Sequence, residues 1–324
     1  MRKKEGVLKG IKFWAGMALF VSLVQFTVLA TPAYAQDSTA TAGDLVLKDD
    51  AKCTRCHDAE DSPELLTIGR TKHGTTADGR TPTCTTCHGA SEEHIATPKT
   101  VLPERMFGAK SPTPPAERSA TCRGCHSGHD QMFWDTGTHA ARGVSCDSCH
   151  DVHNGGHDKV REKTTQAEVC FTCHKNQRVQ ASKHSRHPIL EGKVTCSDCH
   201  NPHGSAGASN LKRDTVNDTC FQCHAEKRGP FIWNHQPVTE NCSLCHDPHG
   251  TNIASLLKFR SPFLCQQCHE PGNSHRGSAP GFDIDSGSTS GNSILFARGC
   301  LNCHTLIHGS NNSSSSSRSR AFFR

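Results

Sequence analysis

Tyrosine occurs once in the 324 residues, at Tyr34, and hydrophobic residues of every kind reach only 34%, a share that includes 20 cysteines. A chain of this length ordinarily buries a large apolar core. This one is poorly supplied for that, so something other than aliphatic side chains must fill its interior. Long apolar runs are missing as well, because nothing after Ala30 is apolar enough to cross a bilayer. The single run, residues 13–30, follows a basic start (Arg2, Lys3, Lys4, Lys9, Lys12) and precedes Pro32 and Ala33-Tyr34-Ala35. That is the layout of an export signal cleaved after Ala35. The alternative is an uncleaved anchor, since 18 residues could just span. Excess positive charge is lacking too. Setting aside the five basic residues and Glu5 of the leader reduces 36 basic and 31 acidic residues to 31 and 30, which is no footprint for nucleic acid.

What the sequence does have is cysteine and histidine in one arrangement. All 20 cysteines fall in ten Cys-x-x-Cys-His motifs: Cys53/Cys56/His57, Cys84/Cys87/His88, Cys122/Cys125/His126, Cys146/Cys149/His150, Cys170/Cys173/His174, Cys196/Cys199/His200, Cys220/Cys223/His224, Cys242/Cys245/His246, Cys265/Cys268/His269 and Cys300/Cys303/His304. Structural zinc and disulfides are the alternative readings. Neither requires a histidine at that fixed position, and 23 histidines in 324 residues do not fill ten of ten such positions by chance. The motif is that of covalent haem attachment. The two cysteines form thioethers with the haem, and the histidine is held under the iron as its proximal ligand. The expected cofactors are therefore ten covalently attached c-type haems with bis-histidine iron. Removing 35 residues from 324 leaves 289, about 29 for each haem. The porphyrins would then be the core, wrapped by a mostly irregular chain with short α-helices and little or no β-structure.

The motifs repeat in pairs, each unit reading motif, histidine, motif, histidine. The five units cover about residues 53–94, 122–157, 170–203, 220–249 and 265–308. Their non-motif histidines supply ten candidates for the second iron ligand: His73 and His94, His139 and His153, His187 and His203, His235 and His249, His275 and His308. His129, His157 and His184 fall outside the register, although His129 copies the three-residue spacing and competes with His139. Other ligand types are scarce, since past the leader only Met106 and Met132 remain and no tyrosine does. Three extended residues reach at most roughly 10 Å. A histidine three positions after a motif, such as His249, is thus expected to cap a neighbouring haem rather than its own. An enzyme of this class needs an open iron position, marked by a lysine replacing the motif histidine or by a modifying tyrosine, and this chain has neither.

Residues 1–35 are expected to be a cleaved leader, 36–309 the haem domain, and 310–324 a flexible polar tail. Thr97–Ser119, with five prolines, reads as an extended connector between the first two units, and Gly277–Ser293 as a surface loop. Trp134 and Trp233 each precede a candidate ligand and are expected to pack on a haem edge.

Thr219–Gly250 (TCFQCHAEKRGPFIWNHQPVTENCSLCHDPHG), VTCSDCHNPHGS, LCQQCH and CLNCHTLIHGSN resemble the MtrA-type periplasmic decahaem cytochromes. The likeness runs from Cys53 to about Asn311, and the ten non-motif histidines fall where the family has its distal ligands. The resemblance implies an elongated, haem-lined fold. It also implies electron transfer across the outer membrane inside a β-barrel porin, with an outer-surface multihaem cytochrome beyond and a periplasmic or inner-membrane cytochrome as electron donor or acceptor. The residues alone say exported multihaem electron carrier, and a freely diffusing periplasmic shuttle is the competing reading.

Overall fold

A computed structural model describes residues 50–74, 80–155, 157–269, 300–302, 304–312 and 322. The expected leader, the Gly277–Ser293 loop, His275, Cys303 and most of the expected tail lie outside the described residues.

The architecture starts from the motif itself. In an α-helical turn, residues i, i+3 and i+4 share a face. Each described motif is built as such a turn. The histidine N–H donates to the carbonyl of the first cysteine in His57, His126, His150, His174, His200, His224, His246, His269 and His304, at 2.9–3.1 Å, and His88 closes the helix Cys84–His88. Both sulfurs and the imidazole therefore leave the backbone on one side. The second motif of a unit begins its own short helix, and the residue before it is a cap: Thr83, Ser145, Thr195 and Asn241 all bond back to the first turn. The longest helix, Pro115–Arg123, has nine residues. Among the described residues there is no β-strand, only four isolated bridges.

Within a unit, a side chain just before the first motif docks onto the start of the second. Asp50 Oδ1 accepts from the Cys84 N–H (2.7 Å), Gln166 Oε1 from the Ser197 N–H (3.0 Å), Asn217 Oδ1 from the Cys242 N–H (2.7 Å), and Ser261 Oγ from the Cys300 N–H (3.2 Å). Between units, the middle segment of one unit lies against the closing loop of the next. Thr67 meets His153 and Gly155, and Asn201 donates to the Asp130 carbonyl (2.8 Å). Ser185 bridges Thr251, and Trp233 bridges Ser310. The His-Gly dipeptide that ends the later units is explained here. Gly204, Gly250 and Gly309 have φ of +108°, +139° and +139°, and a methyl group on Gly250 would stand 2.1 Å from the Gln180 carbonyl oxygen. Only glycine lets the two backbones come this close.

Apolar packing contributes little. Among the described residues, the buried hydrophobic side chains are Trp134, Ala167, Phe171 and Ala181. Two segments make contacts that their local sequence does not announce. The Thr97–Ser119 connector is pinned to unit two. Arg118 donates to Asp147 (2.5 Å) and to the Gly108 carbonyl (2.8 Å), and the Gly108 N–H donates to Asp147 (2.6 Å). The chain also stays engaged beyond residue 309. Asn311 accepts from the Ile232 N–H, Asn312 accepts from the Trp233 indole, and the Phe322 carbonyl accepts from the Leu306 N–H.

Two outcomes follow from these contacts. Gly250→Ala should destabilise the junction of units three and four by about 1–3 kcal/mol, the usual cost of forcing a side chain into a glycine-only conformation; a chemical denaturation midpoint unchanged from wild type would contradict the docking account. At Asp147, burial alone would raise the carboxyl, but the Ser145 hydroxyl, the Gly108 N–H and Arg118 outweigh it and hold the group below its ordinary 3.8. The folded value lies below the unfolded one, so the latch stabilises above about pH 3.8 and is lost as the pH falls through and below that value. Asp147→Asn should open the latch at neutral pH, costing about 3–5 kcal/mol locally, since both partners are largely buried. Amide exchange across residues 105–113 would report it.

Candidate functional site

The motif turns arrange their sulfurs in sequence order. Within each unit the first cysteines of the two motifs interact: Cys53 with Cys84, Cys122 with Cys146, Cys170 with Cys196, Cys220 with Cys242, and Cys265 with Cys300. Between units the second cysteines are electrostatic neighbours: Cys87 with Cys125, Cys149 with Cys173, Cys199 with Cys223, and Cys245 with Cys268. The contacts alternate and link motif one to motif ten without a gap. Burial pushes up the thiols of Cys53, Cys84, Cys87, Cys149, Cys199, Cys220, Cys245 and Cys265, Cys84 to about 12, whereas the bond from the facing thiol holds Cys146 and Cys196 down. Each thiol would give up its proton on forming a thioether.

Opposite nine of the ten motif histidines stands a histidine from elsewhere in the chain. Ring centres are 6.2 Å apart for His57–His94, 6.4 Å for His88–His153, 6.0 Å for His126–His73, 6.2 Å for His150–His203 and 6.1 Å for His174–His139. They are 6.1 Å apart for His200–His249, 6.4 Å for His224–His187, 6.1 Å for His246–His308 and 6.0 Å for His269–His235. An imidazole nitrogen sits about 2.0–2.1 Å from a metal it binds, so two imidazoles on opposite faces of one metal have centres roughly 6 Å apart. Stacked rings could also reach this separation. Here, however, the interplanar angle ranges from 10° to 89° while the distance stays fixed. Opposition across a metal behaves that way and stacking does not. Every pair joins a motif histidine to one of the ten register histidines. His129 makes no such pair among the described residues, and His139 does. Of the ten register histidines, only His275 lies outside the described residues.

The second nitrogen of many rings is already committed. The Nδ1–H groups of His88, His94, His139, His153, His187, His200 and His246 donate to the carbonyls of Arg105, Val101, Pro202, Leu65, Pro248, Ser209 and Ser255, at 2.7–2.9 Å. A carbonyl can only accept, so the tautomer is set and Nε2 is left for a metal. Burial holds His73, His88, His203, His235, His249 and His308 below the ordinary histidine range. It thereby favours the neutral form that binds metal.

The sequence reading missed these acceptors. Two of them, Val101 and Arg105, belong to the supposed connector, and Phe107 beside them packs edge-on against His88 at 5.3 Å. Of the two tryptophans, Trp134 lies against the His203 ring, whereas Trp233 is spent on docking to residues 310–312.

One continuous cavity of about 4520 Å³ runs past the described motif cysteines and both members of every ring pair. A single small-molecule pocket is about 300–1,000 Å³, so this space suits several ligands in contact. Zinc fits less well. Among the described residues only Asp50, Cys53 and Cys84 bring three possible ligand atoms together, one short of a closed structural zinc site. The thiol pairs and facing imidazoles fit haem, which when bound supplies a reversible one-electron carrier. The chain's own residues tether it, fix the imidazoles and set their neighbour contacts.

A family model, "Doubled CXXCH motif", matches residues 139–179, 187–229 and 235–274. Each match opens on a register histidine and closes just beyond the motif histidine that faces it. The chain is also similar to the multihaem cytochrome MtrA of Shewanella baltica (strain OS185), with 38% identity over 267 residues covering 81% of this chain and 78% of the relative. The paired motifs, the near absence of an apolar core and this relative together place the chain in the MtrA-type multihaem c-type cytochromes, electron-transfer proteins with covalently bound haem.

Proposed function

We propose that the protein carries ten bis-histidine haems in one unbroken file and conducts electrons across the outer membrane from within a β-barrel. The observation that carries this reading is the combination of nine facing histidine pairs with cysteine contacts that join all ten motifs in order. On this reading the twenty motif cysteines, the ten motif histidines and the ten register histidines are all cofactor ligands, and His275 completes the tenth iron opposite His304. With both axial positions taken, the irons pass electrons and bind no substrate. The protein's task is to fix spacing and ligation, while the cofactor does the chemistry.

A barrel is needed for a physical reason. No helix of the described residues is long and apolar enough to cross a membrane. Haem propionates and irregular backbone facing lipid would leave polar groups unsatisfied, at several kcal/mol each. A closed barrel offers apolar residues to lipid and a polar lumen to its cargo. The leader of residues 1–35 would deliver the chain to the periplasm. There a periplasmic or inner-membrane cytochrome exchanges electrons with one end, and an outer-surface multihaem cytochrome exchanges them with the other.

Intact mass of the purified holoprotein should give a chain beginning at Gln36 plus ten haems, and electron paramagnetic resonance should show only low-spin ferric iron. A stoichiometric high-spin signal would mean an open iron. For the conduit itself, liposomes containing the cytochrome and a candidate barrel should let an impermeant external reductant reduce a dye trapped inside. Neither protein alone should do so. Absence of reduction by the assembled pair would favour a diffusing shuttle.

A further inference from the structure

Two stretches of the chain align residue for residue: CSDCHNPHGSAGASNLK at 196–212 and CSLCHDPHGTNIASLLK at 242–258. Their structures repeat as well. In each, a loop returns to the motif through two residues of positive φ, Ser209 and Asn210 in one and Ser255 and Leu256 in the other. The loop then bridges back, His200 to Leu211 and His246 to Leu257. The turn aims a backbone carbonyl, nine residues after the motif histidine, at its Nδ1–H: Ser209 for His200 and Ser255 for His246. In the first unit the Arg105 carbonyl does the same for His88.

The corresponding stretch of unit two, CDSCHDVHNGGHDKV at 146–160, has a shorter return. Among the described residues no carbonyl reaches the Nδ1 of His150. Its Nδ1–H instead donates to the carboxylate of Asp158 at 2.6 Å, with the two side chains 33% and 23% exposed. Asp158 is held in place by its own loop, since its Oδ1 accepts from the Val160 N–H and its carbonyl from the Arg161 N–H. Two other carboxylates approach a paired histidine, Glu226 at 3.8 Å from His224 Nδ1 and Asp247 at 3.7 Å from His249 Nδ1. Both are beyond hydrogen-bonding distance.

We infer that Asp158 tunes the fourth haem, acting through His150 to hold its potential below the value that a carbonyl acceptor at that position would give. This rests on the bis-histidine reading above. A carboxylate accepting from the remote imidazole N–H draws the proton toward itself and makes the opposite nitrogen a stronger donor to iron. A stronger anionic donor favours the ferric state, which lowers the potential. One feature acts the other way, because the Nδ1 of the facing His203 is buried with no hydrogen-bond partner. A charge-assisted hydrogen bond is roughly twice as strong as a neutral one, so Asp158 offsets the bond that His203 lacks. A low-potential site at the fourth of ten positions would hold an electron only briefly. Traffic between units two and three would then become the step most sensitive to driving force.

The test uses the holoprotein and three variants. Asp158→Asn keeps a hydrogen-bond acceptor but removes the charge, Asp158→Ala removes both, and Glu226→Gln removes a nearby charge that makes no hydrogen bond. In an optical redox titration, about one tenth of the haem absorbance should move to higher potential in both Asp158 variants. The expected change is about tenfold in its one-electron equilibrium, or about 59 mV. Glu226→Gln should move nothing comparable. An unchanged titration in Asp158→Asn, with all irons still low-spin, would overturn the inference. So would an equal shift in Glu226→Gln, since charge alone would then suffice. A high-spin iron in the wild-type protein would instead overturn the bis-histidine reading, which keeps the two failures distinct.

Discussion

A one-turn helix can present an imidazole to only one face of a flat macrocycle. The other face must be reached from a different part of the chain, and this requirement organises the whole molecule. The structure meets it by exchange between neighbouring units. The middle histidine of one unit faces the first motif of the next, as His139 faces His174 and His187 faces His224. The closing histidine faces the second motif of the unit before, as His203 faces His150 and His249 faces His200. At the N-terminal end there is no earlier unit to serve, and His94 turns back on the first motif of its own unit. Each repeat thus completes its neighbours and is completed by them, which is the logic of a solenoid in which units touch only those beside them.

The same exchange carries the mechanical load. His139 donates from Nδ1 to the carbonyl of Pro202, the residue before His203, and His187 does the same to Pro248, before His249. The two histidines that cross a junction in opposite directions are therefore fastened to each other. A few residues away the glycines at 204 and 250 allow the backbones to meet directly. In an ordinary domain such junctions would be held by buried aliphatic surface. Among the described residues almost none is available, and hydrogen bonds and facing histidine pairs replace it. Contacts that hold the chain together and contacts that set cofactor spacing are the same contacts, so a change to one disturbs the other.

Much of this was legible in the sequence because it is written in local spacing. The motif gives the helical turn, and the repeat register picks out the histidines that face the motif histidines among the described residues. A three-residue offset is too short to pass around a porphyrin, which already pointed to capping between neighbours. What could not be read was anything settled by long-range backbone position. No pattern in Thr97–Ser119 announces that its carbonyls will serve His88 and His94, because a backbone acceptor has no residue type. The His-Gly dipeptide was visible as a repeat, but its reason lies in the approach of residues some seventy positions upstream. Trp134 and Trp233 each precede a register histidine, yet one meets a histidine ring and the other a neighbouring loop.

The exchange also limits how such a chain can change in length. Cysteine contacts alternate between first cysteines within a unit and second cysteines between units. Removing one motif would bring two like edges together and leave a histidine with no opposite. Removing a whole unit, from one first motif to the next, would bring a middle histidine against an equivalent first motif and a closing histidine against an equivalent second motif. Ligand count, edge alternation and the hydrogen bonds across the junction would all be kept. The gap-free match of residues 196–212 to 242–258, identical at 11 of 17 positions, is what a chain extended by whole units would display. Once distal ligands are traded between neighbours, two haems become the smallest step by which the file can grow or shrink.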